Sequence, residues 1–232
     1  FTLASNKDIK EGQASTATPD GAVSALDVSG NSLFAAFAKS GENITKGNGL
    51  IFSSNSTGNT ISWTYFDQLV DTEADSISPF AKRFFRGLPI TVNEANVTYD
   101  ASINGNYIYI TSWAGGLRRY NTLTKIWQRI PLPQDNDQNL NTCDESSYIT
   151  TTSGSVLKDF YLNPRDPIDG GNHNHKAFSV ISYSDTVWVG TANGINRGLV
   201  GANACINWTH YTPVADGLSG GFVVDLALQR YK

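Results

Sequence analysis

The sequence predicts an all-β fold: a partial β-propeller of about three four-stranded blades plus the first strand of a fourth, with long inter-blade insertions. Short runs of β-branched and aromatic residues alternate with turns rich in Asn, Ser, Thr and Gly, and almost no stretch keeps a 3.6-residue period. One four-part phrase occurs three times: an alternating strand, an apolar strand fed by a polar turn, a strand opened by Gly, and a strand carrying Trp. Trp63, Trp127 and Trp208 follow Gly49, Gly116 and Gly194 by 14, 11 and 14 residues. Tandem four-stranded units are the building plan of a propeller, where each small sheet buries its faces on its neighbours. A β-sandwich with irregular loops fits the same short strands without the repeat.

The first blade spans about 21–66. Ala22 to Ser29 alternate, Gly30-Asn31-Ser32 turn the chain into Leu33 to Phe37, Gly49 opens the third strand, and Trp63 marks the fourth. Residues 67–94 are an insertion, within which Ser78 to Gly87 predict a short helix: Ser78 caps, Pro79 suits the first helical position, and Phe80 and Phe84 share a face. The second blade, about 95–132, repeats the plan with Asn96 to Ile103, Gly105-Asn106, Tyr107 to Ile110, Gly116 and Trp127. A second insertion runs over 133–176. The third blade, about 176–213, has Ala177 to Tyr183, the turn Ser184-Asp185-Thr186, Val187-Trp188-Val189-Gly190, Gly194 and Trp208. Residues 221–232 read like the first strand of another blade. Gly49, Gly116, Gly194, Trp63, Trp127, Trp188 and Trp208 are the expected blade-core positions. Residues 1–232 thus read as one domain, and three blades and a strand fall short of the four to eight that close a ring, so a fragment of a longer protein, or a face covered by another chain, is expected.

Composition narrows the partners. The 17 Lys and Arg against 21 Asp and Glu leave a formal charge of -4, which provides no broad cationic surface for nucleic acid. No window approaches 18 apolar residues, so no membrane insertion is expected in this segment, and Phe1 to Gln13 lack the basic start and apolar stretch of a signal peptide.

The residues Thr186-Val187-Trp188-Val189-Gly190-Thr191-Ala192-Asn193-Gly194-Ile195-Asn196-Arg197 and Asp216-Gly217-Leu218-Ser219 resemble the repeats of the two-component regulator type β-propeller. Ser112 to Leu117 match the same phrase more loosely, and the first hundred residues depart from it. The resemblance implies propeller architecture and a place in exported or surface proteins of Bacteroidetes and Ignavibacteria, often carried by type IX secretion, or in the periplasmic sensor half of hybrid histidine kinases. It is almost silent on activity. Ser54 to Thr60 are similar to the Asp-box turn of sialidase-type propellers, without that family's arginine cluster or nucleophilic tyrosine.

Candidate chemistry is sparse. On an extended backbone His173 and His175 project from one face, a spacing able to offer two imidazoles to a transition metal, with Asp166 or Asp169 as further ligands. A polar loop whose histidines bond to the backbone fits equally. Asp135, Asp137 and Asn139 place oxygens at alternating positions, as at the start of a calcium loop, but Leu140 and Ser146 exclude an EF-hand. Calcium or a transition metal are therefore the cofactors to test for. Asp67, Asp71, Glu73, Asp75, Glu94 and Glu145 could supply the carboxylate pair of a glycoside hydrolase, or a solvated acidic face. Cys143 and Cys205 are the two cysteines, and a disulfide between them would tie the second insertion to the third blade. The expectation is a non-catalytic binding or structural module, extracellular, at the cell surface or periplasmic, with a protein or glycan partner or the remainder of its own propeller. The rivals are a propeller-type hydrolase or lyase with a site near the inter-blade loops, and the periplasmic sensor half of a kinase.

Overall fold

A computed structural model describes residues 19–40, 45–70, 96–143, 148–151, 154–157 and 173–229. The expected helix over 78–87 lies outside them. The chain is predominantly β. Strands β1 (Ala22–Ser29), β2 (Ser32–Ser40), β3 (Thr45–Ser53) and β4 (Thr64–Phe66) form one antiparallel sheet in chain order, and β5 (Thr98–Asn104), β6 (Tyr107–Ser112), β7 (Gly116–Asn121) and β8 (Ile126–Ile130) form the second. After β9 (Asn139–Asn141) and the hairpin β10 (Tyr148–Thr151)–β11 (Gly154–Leu157), strands β12 (Ala177–Tyr183), β13 (Thr186–Thr191), β14 (Gly194–Val200) and β15 (Ile206–Tyr211) form the third, with β9 added outside β15. A four-residue helix, α1 (Pro213–Asp216), follows, capped by Thr212. No helix among the described residues is long and apolar enough to cross a membrane.

The three sheets share one register. Each first strand turns into the second through two residues, with Ser29 opposite Ser32, Asn104 opposite Tyr107 and Tyr183 opposite Thr186. Counting back from that turn, each first strand carries a bulge at the same position, at Ser24, Tyr99 and Phe178. Gly49, Gly116 and Gly194 hold equivalent places with φ of 97°, 61° and 101°, a left-handed conformation that side chains resist. Gly49, however, lies inside β3 and does not open it, because β3 begins four residues earlier. Trp127 stands opposite Tyr120 and Trp208 opposite Gly198, where a Cβ would lie 2.7 Å from the indole. Continuing the pairing of Phe52 with Thr64 puts Trp63 at the matching place, one residue ahead of β4.

Packing follows from alternation. One face of the first sheet (Phe34, Ala36, Leu50, Phe52, Phe66) meets one face of the second (Ala101, Ile103, Ile108, Ile110, Tyr120, Trp127) in a single buried cluster. The other face of the second sheet (Tyr109, Leu117, Ile130) meets the third (Val180, Val187, Val189, Ile206, Trp208). The first strands lie side by side, and their exposed ladder donors are satisfied across the junctions. Asp27 accepts the Ile103 N–H, Asp100 accepts the Val180 N–H at 2.8 Å, and Ser102 accepts the Ser182 N–H at 2.9 Å. These bonds blunt edges that would otherwise invite foreign strands.

Residues 221–229, expected to form a strand, pair in no ladder. They follow the third sheet through Gly194 N–H to Gly221 O at 2.6 Å and Val223 N–H to Thr191 O at 2.9 Å, and among the described residues no second strand pairs with them to complete a sheet.

Candidate functional site

The segments that lead into each first strand and the turns between second and third strands share one end of the sheets. There the loop 131–138, the 3-10 turn His173–His175 and the β13–β14 turn converge. The 3-10 turn forms because the Asp135 carboxylate accepts the N–H groups of His173 (3.1 Å) and Asn174 (2.7 Å). The backbone is therefore not extended at the histidine pair, and residues two apart on a three-fold turn point in different directions. His173 is half-buried and His175 is buried.

Asn174 centres a buried amide network. Its Nδ2 donates to Pro133 O and to Asn196 Oδ1, both at 2.8 Å, and its Oδ1 accepts from Asn196 Nδ2 at 2.7 Å and Thr191 Oγ1 at 2.8 Å. His175 Nε2 lies 2.9 Å from Leu132 O, which it meets as a donor. Burial holds the His175 imidazole down to about 4, so the ring is neutral at physiological pH. His210 joins the same clamp, with its two ring nitrogens 3.1 Å from Asp137 O and 2.6 Å from Asn193 O. All three loops are thus sewn together by groups that bond to backbone or to one another. This is a rigid polar core, not a nucleophile beside a base.

The sequence-derived ligands disperse accordingly. Asp135 caps the turn, Asp137 presents its carbonyl to His210, and Asn139 pairs with Thr209 as part of β9, so this run is a turn followed by a strand. Asp166, Asp169, Asp71, Glu73, Asp75, Glu94 and Glu145 lie outside the described residues. Among the described residues no group of three or more His, Cys, Asp or Glu side chains is arranged to hold a metal ion. Cys143 and Cys205 are joined, Cα–Cα 5.7 Å, which fastens β9 to the outer edge of the third sheet.

Sequence reasoning missed three buried arginines. Arg118 and Arg129 pair across β7 and β8, and Arg118 Nη1 donates to Asn96 Oδ1 at 3.0 Å. A Cβ at Gly115 would sit 2.0 Å from that guanidinium, so the β6–β7 turn must be bare there. Arg119, on the other face, donates to Gln128 Oε1 at 2.8 Å and lies 4.5 Å from the Tyr107 ring centroid. Lys176 stands 5.7 Å from the Trp113 ring. The available signal was the pair Arg118-Arg119 inside an otherwise apolar strand, where a buried charge demands partners.

No family model matches the chain, and no curated protein sequence matches it. A second electrostatic feature lies at the first strands: burial raises the Asp100 carboxyl above the ordinary carboxylate value, its two accepted N–H bonds oppose that, and the nearby Asp225 and Asp27 add to it.

Proposed function

We propose that the chain is a non-catalytic binding or structural module built from propeller-type repeats, part of an exported protein, whose outermost sheet faces are covered by further sheets or by a protein or glycan partner. The observation that carries this reading is the likeness of the three units: the same turn, the same bulge position and the same left-handed glycine recur in each, and an equivalent first-strand-to-first-strand bond recurs at both junctions. Units that repeat so closely and bury one face on each neighbour fit a radial array. Among the described residues one face of the first sheet and one of the third meet no further sheet. The resemblance to two-component regulator propellers supports the same reading, and the Cys143–Cys205 bridge is compatible with an oxidising compartment. The polar groups at the loop end are committed to holding the loops, which favours a scaffold over a catalyst.

Electron cryomicroscopy of the native protein, isolated from its source and checked by intact mass, tests the proposal. The expected image is a closed ring of radial sheets with these three consecutive in it. Sheets stacked as a two-layer sandwich would overturn it.

A further inference from the structure

We propose that Asn104 is a modification site, at which the chain converts its own Asn104-Gly105 pair to aspartate and isoaspartate and so loosens the junction between the second and third sheets. Water is the one co-reactant the conversion needs.

The sequence holds three Asn-Gly pairs: Asn48-Gly49, Asn104-Gly105 and Asn193-Gly194. In each the glycine has no side chain to hinder its own amide nitrogen, so the dipeptide alone does not rank them. The fold does. Gly49 is buried and its N–H donates to Gln68 Oε1 at 3.1 Å, and Gly194 is buried and its N–H donates to Gly221 O at 2.6 Å. Gly105 is exposed in the two-residue turn between β5 and β6, and its N–H meets no acceptor among the described residues. The asparagine amides do not separate the three, since each donates its Nδ2: Asn48 to Asp20 O at 2.7 Å, Asn104 to Ser184 O at 2.8 Å and Asn193 to Asp135 O at 3.4 Å. A glycine N–H already given to an acceptor must be withdrawn from it before its nitrogen can attack, and that opening slows the reaction by on the order of tenfold. Asn104 escapes this penalty.

The atoms balance within the pair and solvent. The Gly105 nitrogen gives its proton to solvent and bonds to Asn104 Cγ, while Nδ2 takes up a proton and leaves as ammonia, closing a five-membered imide. Water then opens the ring at either carbonyl, which yields aspartate or isoaspartate at position 104. Both products lose the donor that held Ser184 O, and the aspartate sets a carboxylate against that carbonyl. The lost bond is the one that ties the β5–β6 turn to the β12–β13 turn, next to the Ser182 N–H bond to Ser102 Oγ. Isoaspartate also lengthens the backbone by one carbon where Asn104 stands opposite Tyr107, which disturbs the hairpin register.

Incubation of the full chain in mildly alkaline buffer, with timed peptide maps that separate the asparagine, aspartate and isoaspartate forms, tests this. The folded chain should convert at Asn104 at least tenfold faster than at Asn48 or Asn193, and in concentrated urea the three rates should draw together. Gln68→Ala, with its fold checked by the β circular dichroism spectrum, frees the Gly49 N–H and should speed Asn48 severalfold while leaving Asn104 unchanged. Asn104→Asp, the stand-in for the product, should exchange its Ser182 amide hydrogen faster than the wild type. Folded-state rates at Asn48 or Asn193 that equal the rate at Asn104 overturn the site, as does an Asn104 that persists when folded over a time in which urea completes its conversion. An unchanged Asn48 rate in folded Gln68→Ala overturns the protective role of the glycine bond, and wild-type exchange at Ser182 in Asn104→Asp overturns the loosened junction.

Discussion

Removing the Cys143–Cys205 bridge should cost about 4 kcal/mol of stability. The bridge closes a loop of 62 residues, and chain-entropy scaling for a loop of that length restricts the unfolded ensemble by about 14 cal/mol/K, or about 4 kcal/mol at 25 °C. The folded state should change little in a Cys143→Ser/Cys205→Ser variant, because the neighbouring bonds are independent of sulfur. Thr142 N–H donates to Ile206 O at 3.0 Å, Ile206 N–H to Thr142 Oγ1 at 2.8 Å, and His210 N–H to Gln138 O at 2.8 Å. For a chain of this size the loss translates to a melting point lower by roughly 10–15 °C. The assay is equilibrium urea unfolding of the oxidised protein and the double variant, after a non-reducing peptide map establishes the bridge. The slope on denaturant should rise in the variant, since an uncrosslinked unfolded chain exposes more surface. A difference under 1 kcal/mol with the bridge present in the parent would refute the reasoning, and would mean that the intervening segment is already constrained when unfolded.

The remaining predictions concern buried polar groups. His175, neutral when folded with a value lowered from 6.5 to about 4, contributes stability that is complete above pH 6.5 and is lost as pH falls towards 4, about 3 kcal/mol in all. His175→Gln should flatten that acid limb in a pH series of urea midpoints, and an unchanged limb would count against a buried neutral ring. Asn174→Ala leaves Asn196 and Thr191 facing an empty site and should cost about 2–4 kcal/mol, read as a lower melting temperature, whereas Asn193→Ala, on the partly exposed rim, should cost under 1 kcal/mol. Asp100 has the opposite pH sense: its raised folded value means that its cost to stability is absent at low pH and appears as pH rises above the ordinary carboxylate value. Asp100→Asn should therefore remove a decline in stability as pH rises above the ordinary carboxylate range, and a variant with the parent's pH profile would contradict the assigned environment.

Much of the fold was legible because the repeat is written in residues that backbone geometry demands. Gly49, Gly116 and Gly194 mark left-handed positions, and the aromatic residues at Trp127 and Trp208 fill cross-strand places fixed by register. The common bulge was not legible, since Ser24, Tyr99 and Phe178 share neither size nor polarity, and a bulge is a property of pairing. Nor was β9, whose three residues carry no period of their own and gain their place from the third sheet and the Cys143–Cys205 bridge. The histidine pair was misread as extended because local spacing cannot reveal that Asp135, 38 positions away, would cap it into a turn. Arg118 and Arg129 went unremarked for the same reason: their shared face is defined by the β7–β8 pairing, not by neighbours in sequence.

The two kinds of junction also divide the labour of the fold. Apolar faces supply the burial that holds sheet to sheet, but apolar contact is non-directional and would tolerate a slip of one sheet along another. The bonds from Asp27, Asp100 and Ser102 to the N–H groups of the neighbouring first strand remove that freedom, because a slip of one residue would leave both the donor and the acceptor unpaired. The series is therefore a register code carried by carboxylates and hydroxyls, and it explains why Asp27 and Asp100 are kept along the first strands although burial, and then the neighbouring carboxylates, lift Asp100.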